Sequence, residues 1–290
     1  MLDKLDMKEY ISCIICNSEN FYHIYSKGNI NIVKCSKCSL MYQNPRTLVY
    51  LINEEIYREN YYHVYEKIAK EQENFFINRF NTILKEMPVG RVLDVGCGTG
   101  SFLKVAKERG WNIHGVEVSS WAVQVLSKKL DIEVRKGGVE KANFPEDYFD
   151  LINMSHVLEH LPNPLITLEE IKRIMKPSGY LLIEVPNENN FKIRNFLLNL
   201  FLRSTKEEKF APRSYHLYLF TKETLAYLLK KTGFKILLLK EEGFGVPGRE
   251  DWIFKNLNPF FRTFALIAKK IQLDVRVGLG HYLLALAKKE

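Results

Sequence analysis

No stretch of these 290 residues is both long and apolar enough to cross a bilayer: FLLNLFL and FALIA are the most apolar runs, and a spanning helix needs roughly 20 such residues. The opening MLDKLDMKEY lacks the basic-then-apolar layout of a secretory leader, so cytoplasmic residence is expected. Cysteine is scarce, with five in the chain, and four of them sit in two tight pairs. That usage argues against a disulfide scaffold and for metal binding in a reducing compartment. Low-complexity tracts and internal repeats are also absent, which excludes solenoids and fibres. Nor is the chain short of core material. At 46% hydrophobic and 12% aromatic content it can build one sizeable domain and a small appendage.

The appendage is marked by its cysteines. CIIC at 13–16 and CSKC at 35–38 are separated by 18 residues that read as strand, turn and strand with KGN at the tip. Each C-x-x-C turn puts two sulfurs on one side of a tight knuckle, so Cys13, Cys16, Cys35 and Cys38 can surround one tetrahedral Zn²⁺. With no fifth ligand in view, the metal is expected to be structural and to let some forty residues fold that have no core of their own. This assigns 1–45 to a zinc-ribbon-like module, 46–80 to a helical linker or cap rich in tyrosine, and 81–290 to the main domain.

From Arg91 onward, apolar runs alternate with amphipathic helices: RVLDVG, SFLKVAKERG, NIHGVEV, SWAVQVLSKKL, IEVRKG, FDLINMS, PLITLEEIKRIMK and YLLIEVPN. Then come the helix TKETLAYLLKKTG, with Thr221 as its cap and Gly233 as its stop, the strand FKILLLKE and a last strand HYLLALAKK. This alternation indicates an α/β fold with a mostly parallel sheet covered on both faces.

VLDVGCGTG at 92–100 is a buried strand ending in a turn with three glycines at alternate positions. Glycine lets backbone approach a ligand closely, and the helix that follows presents free N–H groups. The dinucleotide fingerprint G-x-G-x-x-G would need its third glycine at Ser101, and no phosphate-loop lysine follows. Instead, D-x-G-x-G-x-G after a strand resembles the first motif of class I S-adenosylmethionine-dependent methyltransferases, and the element order from about residue 80 to the end is similar throughout. The resemblance implies a Rossmann-like sheet with its last strand antiparallel. It places Asp94, Gly96, Cys97, Gly98 and Gly100 around the amino-acid part of the cofactor and gives Glu117 the ribose hydroxyls. A carboxylate accepting from two vicinal hydroxyls is a sound clamp. Val118 would pack on adenine. Beyond the third strand the family offers an acidic or small polar residue to the adenine amine, whereas here the sequence is GGVE, leaving Val139 and Glu140 as candidates. Cys97 suits the turn by its size and needs no thiol chemistry.

HVLEH at 156–160 matches, letter for letter, the H-x-x-E-H signature of a zinc protease family. Only about a turn of helix fits between FDLINMS and Pro162, and that family needs a longer helix and a distant acid. The methyltransferase resemblance fits better, placing NMSHVLEHLPNP at the end of the fourth strand where acceptor meets methyl group, with Ser155 counted among the cofactor-binding residues. His156 is then the expected general base. In the similar ubiquinone-pathway O-methyltransferases, acids and a histidine hold a divalent cation there. His156 replaces one of those acids, while Glu159 and His160 are left as possible ligands or as local capping groups. APRSYHLYLFT resembles the stretch over the acceptor pocket, with Tyr215 and His216 facing substrate. Two segments mixing aromatic, aliphatic and basic residues, at about 190–215 and 245–275, read as lids, with dimer contact or peripheral membrane contact fitting the second equally.

The charge is uneven. Of a net +8, residues 191–290 carry 19 Lys/Arg against 9 Asp/Glu, which favours anionic partners, although ordinary lysine-rich solvation yields the same counts. The N-terminal pattern looks like the zinc-binding module ahead of bacterial methyltransferases of sugar, polysaccharide and natural-product pathways. The acceptor is accordingly expected to be a small, anionic molecule such as a nucleotide-linked sugar or glycan end. An RNA methyltransferase is the alternative, and a cofactor-binding module without catalysis a third. Against RNA, the module carries only Lys27, Lys34 and Lys37 between and within its cysteine pairs.

Overall fold

The computed structural model describes residues 7–48, 69–188, 216–242 and 282–290. Both lid segments lie outside this set, as does Tyr215.

The central sheet has seven strands: β6 (Arg91–Val95), β7 (Asn112–Glu117), β8 (Val134–Lys136), β9 (Phe149–Ser155), β10 (Met175–Pro186), β12 (Phe234–Glu242) and β13 (Tyr282–Lys289). Their spatial order is β12-β13-β10-β9-β6-β7-β8. Every pairing from β10 to β8 is parallel, and β13 alone runs against both its neighbours. The expected fold class is therefore the observed one.

Strand alternation divides the core in two. Leu93, Ile152, Met154, Ile183, Leu283 and Ala285 point to one face, and Val92, Leu151, Leu182 and Leu284 to the other. The second face is covered by α1 (Ala69–Thr82), α2 (Ser101–Glu108) and α3 (Ser120–Leu130), with Phe80 stacked on Phe102 at 5.5 Å. The first is covered by α4 (Pro164–Ile174) and α5 (Lys222–Lys231). Full burial of each such side chain contributes roughly 1.5–3 kcal/mol. Helix starts follow local chemistry: Ser119 and Asn163 accept from the N–H groups that open α3 and α4, and Thr221 with Thr224 forms a reciprocal cap on α5. One boundary differs from the sequence reading. The helix expected through Lys176 ends at Ile174, because Met175 is already extended and pairs with Phe149.

The N-terminal module contributes β2 (Phe21–Lys27), β3 (Ile30–Cys35) and β4 (Met41–Gln43). A two-residue ladder joins β1 (Lys8–Glu9) to β5 (Arg46–Thr47). The module does not stand apart. The short strand β11 (Tyr218–Leu219), far along the chain, pairs with β4 to complete a four-stranded sheet. Cys13, Ile15, Leu40 and Tyr42 belong to the same hydrophobic cluster as Leu168 and Leu228.

Candidate active site at the carboxyl edge of the sheet

β6, β7, β9 and β10 are neighbours, and their carboxyl ends line one edge, the usual ligand edge of such a sheet. After β6 the chain turns through Gly96, Gly98 and Gly100, at φ of 71°, 53° and 79°. These left-handed angles suit glycine. A Cβ at Gly96 would strike Val157 at 2.6 Å and one at Gly100 would strike Leu126 at 2.2 Å. At Gly98 it would meet nothing nearer than the Gly96 oxygen at 3.9 Å, so that face of the loop is open. α2 starts from Gly100 with no side-chain cap, which leaves its amide dipoles facing the same space.

The acids around this loop are held, not loose. Glu117 is 5% exposed, and its two carboxylate oxygens accept from the Gly98 N–H at 2.9 Å and the Ser119 N–H at 3.0 Å. Each oxygen keeps lone-pair capacity for a further donor. Asp94, 4% exposed, accepts from Asn153 Nδ2 at 2.7 Å. Burial pushes its carboxyl up to about 7, the Asn153 bond opposes the rise, and the nearby Glu117 charge adds to it. Cys97 is buried and its thiol is driven up by the same desolvation, in keeping with a packing role. Val118 stands 38% exposed beside Glu117. Val139 is buried at the foot of a short 3₁₀ turn, and the Glu140 carboxylate accepts from the Thr167 hydroxyl.

Hydrogen bonds extend this set in a way the sequence reading missed. Ser155 Oγ lies 3.1 Å from Asn153 Oδ1 and 3.3 Å from Glu184 Oε2, and the buried Arg79 of α1 donates Nε to Glu184 Oε1 at 2.6 Å. Arg79 also donates to Glu242. A buried guanidinium thus compensates the buried Glu184 carboxylate. No spacing in the sequence pairs Arg79 with Glu184.

At the end of β9 the backbone of His156 takes φ 57°, an angle rarely tolerated by a residue with a Cβ. Its N–H donates to the Glu184 carbonyl at 2.8 Å. Its ring reaches Glu159 with Nδ1 3.4 Å from Oε1, and the His160 Nε2 is 3.7 Å from the same oxygen. The ring of His216 lies 4.8 Å from that of His160. Glu159 is 1% exposed, and among the described residues neither of its oxygens has a hydrogen bond of good geometry. Burial alone would raise its pKa, yet the positive charge available on His160, His156 and His216 brings it down to about 2. The carboxylate therefore stays ionised among three imidazoles. One ligand atom each from Glu159, His160 and His216 lies within 4.8 Å of the others.

The four sulfurs of the module also converge. Cys13 and Cys38 lie 3.3 Å apart, Cys16 and Cys35 3.5 Å apart, and all four fall within 4.8 Å. Ligands at ~2.3 Å from a tetrahedral ion would be about 3.8 Å apart, so the set fits one Zn²⁺. Burial raises the Cys13 thiol to about 11, whereas at Cys35 the backbone N–H groups of Cys38 and Lys37 outweigh burial and bring it to about 7.

A family model described as a methyltransferase domain matches residues 64–239, more than half the chain. Among curated proteins, an uncharacterized protein of Methanocaldococcus jannaschii is 28% identical over 179 residues, covering 61% of this chain and 80% of its own length. A ubiquinone biosynthesis O-methyltransferase of Alkalilimnicola ehrlichii is 32% identical over 105 residues, covering 34% of this chain, and the match spans 42% of that protein. A solved S-adenosylmethionine-dependent methyltransferase of Thermotoga maritima, described as a possible histamine N-methyltransferase, superposes with TM-score 0.53 at 22% identity, covering 84% of this chain and all of that one. The chain belongs to the methyltransferase-domain family. Within it, the catalytic domain is that of an S-adenosylmethionine-dependent methyltransferase. Among the described residues no helix is long and apolar enough to cross a membrane.

Proposed function

We propose that this enzyme methylates a small anionic acceptor, such as a nucleotide-linked sugar or glycan end, with His156 as general base. One observation carries the reading: an imidazole held at a left-handed φ on the carboxyl end of β9, backed by an ionised buried carboxylate, beside an open glycine loop. The open face of Gly98 and the acceptor-rich pair Asp94 and Glu117 fit S-adenosylmethionine, which when bound supplies a methyl group on a sulfonium. Asp94 would accept from its ammonium group and Glu117 from its ribose hydroxyls, with Val118, Val139 and Glu140 toward the adenine. Cys97 would pack in the loop, and Ser155 would fix the turn into His156.

In-line displacement needs alignment more than acid–base power, and a hydroxyl or amine acceptor must also lose a proton. His156 can accept that proton, and Glu159 gives the resulting imidazolium a buried counter-charge. His216 and Tyr215 would meet the acceptor. Excess Lys/Arg over residues 191–290 supports an anionic one. Cys13, Cys16, Cys35 and Cys38 would hold a structural Zn²⁺.

A second reading is a cation-assisted O-methyltransferase like the ubiquinone-type relatives. It is favoured by the buried Glu159 carboxylate, whose ligand atom lies within 4.8 Å of those of His160 and His216. The residues would then orient an acceptor oxygen and lower its pKa. An acceptor screen with labelled S-adenosylmethionine, run with and without added divalent metal, tests both. Methylated nucleotide sugars or glycans without metal dependence support the first, and strict metal dependence supports the second. A salt-sensitive gel shift with RNA, together with labelled RNA, would overturn both.

A further inference from the structure

Gln43 lies in the cysteine module, 2% exposed and paired with Ile32 on β3, yet it also bonds two residues far along the chain. Its Nε2 donates to the His216 carbonyl at 2.8 Å, and its main-chain N–H donates to the Leu217 carbonyl at 2.9 Å. The Leu217 N–H then donates to the Glu159 carbonyl at 2.8 Å. Pairing continues through Tyr218 with Tyr42 and Leu219 with Met41. Three residues on, Arg46 donates Nη1 to the Pro162 carbonyl at 3.0 Å and to the Tyr218 hydroxyl at 2.9 Å, and that hydroxyl donates to the same carbonyl at 3.1 Å.

Gln43 of the module and Arg46 just beyond it thus tie down both segments that carry the facing rings of His160 and His216. Those segments are remote in sequence, and nothing local sets their register. A primary amide suits the task, because it can donate to the His216 carbonyl while the Gln43 backbone continues the ladder. Loss of that donor removes the side-chain bond holding the His216 backbone in register, and the segment can then shift. We infer that Gln43 is a positioning residue for the His160–His216 pair, so that the cysteine module is a fixed wall of the acceptor side and not a separate docking unit. This rests on reading that edge as the acceptor side.

The deciding experiment uses full-length protein with ¹³C-labelled histidine rings, saturated with S-adenosylhomocysteine. Wild type is compared with Gln43→Met, which fills the same space and keeps the β4–β11 pairing but offers no donor. The ring signals of His160 and His216 should move, while those of His114, which lies among Phe144, Tyr148 and Phe149, stay in place and S-adenosylhomocysteine affinity is unchanged. Unmoved His160 and His216 signals in a variant that binds normally would overturn the inference. If Gln43→Met does not fold, Gln43→Asn, which retracts the amide by one methylene, is read in the same way. Failure of the acceptor reading looks different: His216→Ala would leave turnover intact while the rings still responded to Gln43→Met.

Discussion

Asp94 is 4% exposed at the end of β6, and burial, reinforced by the Glu117 charge, raises its carboxyl from 3.8 to about 7 against the pull of Asn153. Its charge is therefore only half established at neutral pH in the unliganded protein. An ammonium group docking there needs the anion, so cofactor affinity should fall as pH drops through 7. With a pKa near 7, about one molecule in eleven is competent at pH 6, which predicts roughly tenfold weaker binding than at pH 8. Near pH 7 binding should release about half a proton, since occupancy pulls the remaining carboxyls into the charged form. Calorimetry with S-adenosylhomocysteine in two buffers of different ionisation enthalpy measures both quantities. Asp94→Asn should bind weakly and without this pH dependence. The sign for stability is opposite: a raised aspartate favours the folded state below its unfolded pKa, and the contribution is lost as pH rises toward 7. Unliganded protein should gain thermal stability from this group on mild acidification while losing affinity. Flat affinity from pH 5.5 to 8 in wild type would refute the argument.

Six substitutions probe the rest. His156→Ala should bind S-adenosylhomocysteine normally and lose 10²-fold or more in turnover, about the scale of a general base; unchanged turnover removes it from the mechanism. Cys35→Ser should lose about one Zn²⁺ per chain by metal analysis, and metal content equal to wild type would contradict the four-sulfur site. Gly100→Ala drives a Cβ into Leu126 at a φ of 79° and should cost about 1–3 kcal/mol in denaturant melts, whereas Gly98→Ala, facing open space, should fold better than Gly100→Ala but bind cofactor poorly. Arg79→Met strands the Glu184 carboxylate and should destabilise by roughly 3–5 kcal/mol, with Glu184→Gln added to it recovering part of the loss.

Much of the main domain was legible because its signals are local. The alternation of strands and helices follows from periodic burial within ten residues or so, and Thr221 caps α5 through its immediate neighbours. The glycine loop is a matter of consecutive backbone angles, and Glu117 reaches it because β7 pairs in parallel with β6 and ends one residue beyond it. The cysteine spacing likewise converges in the structure on four sulfurs. Less accessible were Asn153 and Ser155 as the link from Asp94 to Glu184, since nothing in FDLINMS says which residues of neighbouring strands its polar side chains will meet.

Sequence alone determined the α/β architecture, the glycine loop beside its acids, and the cysteine set, because each depends on residues within one turn or on strands joined by a single helix or hairpin. The tertiary structure decided that β11 completes the module's sheet, that Arg79 meets Glu184, and that His216 faces His160 around Glu159. Those contacts join segments tens to more than a hundred residues apart. Their partners are chosen by where the packed sheet and its two faces deliver each backbone, and no local pattern encodes that delivery.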